Sequence, residues 1–210
     1  MSQKPRLSKL ALLPAVFVLF SVIVLGVLFV STAQNGSIDD PNEVEIPVSL
    51  VAFTLPAIQH DLALSQAQIA KITELDENLK THRYAVRDAN ARKGLAEILD
   101  PTQLSRVKQL TLQGLGVRAF GVPEVVEKLG LSEQQKQSVA DIRADLKLQL
   151  QPFQDNIVKN GSPKDYPAAI ALVNDTDDMY KNAHAQALQL LTPKQRTIFG
   201  EIIGAPVNPQ

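Results

Sequence analysis

Four times along this chain a leucine is followed by a small polar residue and, three positions later, by a glutamine. The four sites are Leu64-Ser65-x-x-Gln68, Leu99-Asp100-x-x-Gln103, Leu131-Ser132-x-x-Gln135 and Leu191-Thr192-x-x-Gln195. The spacing is that of a capping box. The Ser, Thr or Asp oxygen accepts from an early helix N–H, and the glutamine reaches back to the cap residue's own N–H. Pro101 and Pro193 follow two of the caps, at the first helical position, where no N–H is required and φ is already set. Four marked helix starts constrain the chain towards an all-α fold. A composition with 5% aromatic residues agrees, because sheets draw on aromatic and β-branched side chains. No stretch reads convincingly as a strand.

The sites belong to a longer repeat. Ala52-Phe53-Thr54-Leu55-Pro56 matches Ala119-Phe120-Gly121-Val122-Pro123, 67 positions further on. At the same offset Leu62, Leu64, Ser65 and Gln68 match Leu129, Leu131, Ser132 and Gln135, and Ile72, Leu75 and Leu79 match Val139, Ile142 and Leu146. Leu99-Asp100-Pro101-Thr102-Gln103 matches Leu191-Thr192-Pro193-Lys194-Gln195 at an offset of 92, so the second copy is longer in its middle. The pattern predicts two tandem helical-hairpin units, residues 50–116 and 117–204, with a short tail at 205–210. Two copies of such length are a duplicated domain rather than a solenoid.

Within each unit the apolar spacing predicts the helices. Ile69, Ile72, Leu75, Leu79 and Val86 form one stripe after Ser65, and Asn90 to Gly94 reads as the end of that helix. Val139, Ile142, Leu146, Leu150, Phe153 and Ile157 form a longer stripe after Ser132, with Pro152 expected to bend it. Asn160-Gly161-Ser162-Pro163 is a turn signal, followed by a return helix over 166–190 and a capped helix over 193–203. Ile69 and Leu104 stand where a hydrophobic staple needs them. The second unit has Lys136 and Arg196 in those places.

The N-terminal part is of another kind. Leu10 to Val30 carries no charge, and 21 residues at about 1.5 Å each span roughly 30 Å, the hydrocarbon thickness of a bilayer. Lys4, Arg6 and Lys9 precede it within the basic segment 1–9, which keeps that end in the cytoplasm and sends the body across the membrane. The sequence thus predicts one transmembrane signal-anchor over 10–30, set in the lipid bilayer of the inner (cytoplasmic) membrane, with a periplasmic body. A signal peptide cleaved near Ala33 is the competing reading, although the apolar run exceeds the usual 7–15 residues. Residues 31–48, with Asp39, Asp40, Glu43, Glu45, Pro41 and Pro47, form an acidic tether that cannot build a core.

The pattern Leu-Thr-Pro-x-Gln ahead of an amphipathic helix, paired with an upstream Leu-Ser-x-x-Gln helix, resembles the LTxxQ-motif family of bacterial envelope proteins, to which Spy and CpxP belong. Leu191, Thr192, Pro193 and Gln195 match the motif outright. Leu99, Asp100, Pro101 and Gln103 match with Asp in place of Thr. Leu64, Ser65 and Gln68, and Leu131, Ser132 and Gln135, resemble the looser copy. The resemblance covers about 50–204. It implies an all-α, cradle-shaped periplasmic protein that binds unfolded clients or damps a stress sensor. Two units in one chain imply an internal pseudo-dimer, and the anchor departs from the freely soluble members.

Little else in the sequence points to chemistry. Zero cysteines exclude disulfides, thiolate metal sites and a cysteine nucleophile. His60, His82 and His184 lack metal-ligand spacing and read as surface residues, so neither a metal nor another cofactor is expected. Asp175, Asp177 and Asp178 read as a solvated helix face, since no EF-hand spacing surrounds them. No phosphate loop or nucleophile elbow is present, and the chain reads as non-enzymatic. With 21 basic and 22 acidic residues, nucleic acid is not an expected partner. Lys80, Arg83 and Arg87 form one basic stripe, either a solvated face or a patch that steers acidic unfolded segments. The leading functional expectation is an ATP-independent holdase or envelope-stress modulator. The alternative is an adaptor that docks one folded envelope partner.

Overall fold

A computed structural model describes residues 49–82, 84–161 and 166–207. The expected cytoplasmic start, transmembrane anchor and tether lie outside the described residues, as does Arg83. Among the described residues all regular structure is helical, and no helix is long and apolar enough to cross a membrane.

A 3-10 turn at Leu50–Thr54 leads into α1 (Pro56–Asp61), α2 (Gln66–Leu79), α3 (Tyr84–Ile98) and α4 (Pro101–Leu115). A second 3-10 turn, Gly116–Gly121, leads into α5 (Pro123–Leu129), α6 (Glu133–Asn160), α7 (Tyr166–Gln189) and α8 (Pro193–Ile203). α2 packs on α3, α6 on α7, and α5 on α8. Helix α4 touches α8 and the second 3-10 turn. Buried side chains fall into two clusters. One contains Leu50, Phe53, Ile58, Ile72, Leu79, Leu95 and Leu110. The other contains Leu112, Val117, Phe120, Val125, Val139, Leu146, Leu150 and Phe199. The dividing line falls inside α4, which gives Leu110 to the first cluster and Leu112 and Leu115 to the second.

All four expected starts carry complete capping boxes, at Ser65, Asp100, Ser132 and Thr192. The short helices α1 and α5 both end in a left-handed residue. Leu64 N–H bonds the Gln59 carbonyl at 2.9 Å, and Leu131 N–H bonds that of Val126 at 3.4 Å. This 6→1 closure satisfies a terminal carbonyl and turns the chain into the next cap. Gly130 holds the turn at φ 58° in the second copy, whereas Ala63 holds it at φ 47° in the first.

Two expectations fail in the first half. The chain breaks after Leu79 rather than at Asn90–Gly94, and α3 runs unbroken through Gly94 to Ile98. Gly94 is there for close packing: a Cβ on it would lie 2.6 Å from Leu75 Cδ2. Val86 belongs to the new helix and is 49% exposed, so it is no part of the α2 stripe. In the second half α6 continues past Pro152. The proline removes the bond to the carbonyl of Leu148, a residue 72% exposed, where water can replace the lost donor.

Candidate functional site

The motif glutamines do more than close their own caps. Gln68 Oε1 accepts from its cap N–H at Ser65, 3.0 Å, while its Nε2 donates to Gln103 Oε1 at 2.8 Å and to the Ile98 carbonyl at 3.1 Å. Gln103 mirrors it. Its Oε1 accepts from Asp100 N–H at 3.0 Å, and its Nε2 donates to the Leu62 carbonyl at 3.0 Å. Each glutamine therefore caps one helix and bonds a carbonyl just ahead of the other helix.

The same clasp recurs 67 and 92 positions on. Gln135 Nε2 donates to Gln195 Oε1 at 2.8 Å and to the Leu190 carbonyl at 2.8 Å. Gln195 Nε2 donates to Gln135 Oε1 at 3.1 Å and to the Leu129 carbonyl at 3.2 Å. The starts of α2 and α4, and of α6 and α8, are thus locked side by side. A glutamine suits the task because one amide supplies an acceptor with two lone pairs and two donor hydrogens. Gln103 is 8% exposed, so its amide needs every one of those bonds.

The leucines ahead of the caps anchor the clasp. Leu99, Leu131 and Leu191 are buried, and Leu64 packs against the first cluster with Leu104. In the second copy Arg196 replaces the apolar staple: its Nε donates to the Leu191 carbonyl at 3.1 Å. Lys136 turns outward to Glu133 at 2.8 Å.

Lys80 and Arg87, the two described members of the basic stripe, each pair with a carboxylate. Lys80 pairs with Glu77, and Arg87 Nη2 meets Asp76 Oδ1 at 2.7 Å across the α2–α3 pair. The acidic group also divides. Asp175 and Asp178 are exposed, but Asp177 is 4% exposed and pairs with Lys181, which corrects the expected solvated face. His60 and His82 are exposed as expected, whereas His184 is not a simple surface residue. Its ring lies 5.8 Å from that of Phe120 and 6.1 Å from that of Phe199, themselves stacked at 4.6 Å. Burial among these rings pushes the imidazole pKa down, opposed in part by a hydrogen bond with the Gly116 backbone. Among the described residues no group of three His, Asp or Glu could hold a metal ion.

The lateral partners of the glutamines are not encoded by the local motif. The only advance signal is that the motif copies occur in pairs. Comparison with protein-family models, with curated proteins and with solved structures returned no match.

Proposed function

We propose that this chain is a non-enzymatic, single-pass inner-membrane protein whose periplasmic body binds non-native proteins or modulates envelope stress, in the manner of Spy and CpxP. In this reading the body is two tandem helical-hairpin units forming an internal pseudo-dimer, held to the bilayer by residues 10–30. The observation that carries it is the duplicated clasp. The motif copies that resemble the LTxxQ family pair with each other, Gln68 with Gln103 and Gln135 with Gln195. The motif then builds the scaffold, and recognition falls to other side chains. Leu148 and Val158 on the distal half of α6 are 72% and 79% exposed and offer apolar contact to a client. Isolated exposed apolar residues are common, so client affinity would be weak per contact and broad in specificity.

The test uses the full-length protein in lipid vesicles. Suppressed aggregation of several unrelated unfolded proteins is the expected result. Capture of a single folded partner at fixed stoichiometry, with no effect on aggregation, would replace this reading with that of an adaptor.

A further inference from the structure

The chain leaves α4 and α8 in a related way. Leu115 at the end of α4 and Val117 just after it enter the second cluster, and Val117 is fully buried. After α8, whose Phe199 belongs to that second cluster, the chain returns to the first: Val207 is 8% exposed and packs in the cluster of Leu50, Phe53, Ile58 and Leu110. We propose that Gly204–Val207 is a latch that closes the second half of the chain onto the first, so that each half receives the segment leaving the other.

Three features hold the latch. Gln113 Nε2, on α4, donates to the Ile203 carbonyl at 2.7 Å and to the Ala205 carbonyl at 2.9 Å, on both sides of Gly204. Gly204 turns the chain at φ 68°, a conformation that L side chains rarely adopt. A Cβ there would also lie 2.3 Å from Gln109 Oε1. Moving Gln109 aside would cost the bond that this oxygen accepts from Arg106 Nη1 at 3.1 Å. Arg106 is in turn fixed by a two-pronged pair with Asp61, at 2.6 and 3.0 Å. Asp61 and Arg106 thus tie α1 to α4, and Gln113 separately ties α4 to the tail. None of this depends on what the protein binds.

The measurement is residue-resolved amide hydrogen exchange on the full-length protein and its Val207→Ala variant. Loss of two buried methyl groups should lower protection across residues 50–110 by roughly tenfold. Gln113→Ala should lower protection in the same region while leaving Val207 in place. Val158→Ala, at a side chain 79% exposed, serves as the control and should leave protection unchanged. A fall in the 50–110 region, alone or with the rest of the body, supports the latch. Unchanged protection there in both the Val207 and Gln113 variants overturns it.

Discussion

At the scale of single residues, the structure separates groups that close bonds from groups that store sensitivity. His184 is of the second kind. Its folded pKa is lowered, so the unfolded chain binds a proton more readily than the native one. Its contribution is therefore complete above the unfolded value, about 6.5, and declines as pH falls below it. Thermal unfolding at pH 7.5 and 5.5 should show a drop that His184→Gln reduces; an equal drop in the variant would assign the sensitivity elsewhere. Glu124 acts lower on the scale. Hydrogen bonds from Lys108 and Lys128 hold its pKa at about 2, so its contribution is present above about 4.5 and is lost between there and 2. The carboxylate side chain is 42% exposed, so solvent screening keeps that contribution small. Ala63 offers a gain instead. It holds the left-handed position that Gly130 occupies in the other copy. Ala63→Gly should relieve strain of about 1–2 kcal/mol, offset by roughly 0.5–1 kcal/mol of chain entropy, and raise the melting temperature slightly. A lower melting temperature would contradict the strain argument.

At the scale of elements, each cap side chain and its glutamine contribute separately. Thr192→Ala removes one acceptor from the start of α8 and should cost about 0.5–2 kcal/mol in denaturant unfolding. Its effect on client binding should not exceed what that loss explains; selective loss of binding by a folded variant would make the motif a recognition site. The helix starts were legible in the sequence because a cap is local: Ser65, Asp100, Ser132 and Thr192 bond residues three positions away. The break between α2 and α3 was not legible. Arg92, Lys93 and Gly94 imitate a helix end, but the glycine lies inside α3 where Leu75 of the neighbouring helix approaches closely. The burial of His184 escaped the same reading, since Phe120 and Phe199, which lie against its ring, come from other elements. Val207 shows the limit most clearly. A lone valine in a Pro-containing tail has no periodicity to betray that it reaches the first core.

At the scale of the whole molecule, two buried clusters are joined through α4, which supplies side chains to both and carries Gln113 to the returning tail. Each cluster lies beside one glutamine clasp, and the clasps share a geometry although their sequence separations are 35 and 60 residues. Among the described residues the two most exposed large apolar side chains, Leu148 and Val158, both lie on α6. Replacing Leu148 and Val158 with serine should weaken client capture while changing stability by less than about 0.5 kcal/mol each. Unaltered capture would place the client surface elsewhere. A double-mutant cycle measures directly whether the motif glutamines act as pairs. Denaturant unfolding of the full-length protein would be compared for the parent, Gln135→Ala, Gln195→Ala and the double variant. The clasp predicts that each single change costs about 1–3 kcal/mol, because it strands the partner amide and a carbonyl. It also predicts that the double change costs less than their sum by about 1 kcal/mol or more. Additivity within about 0.3–0.5 kcal/mol would mean two independent caps and would contradict the clasp.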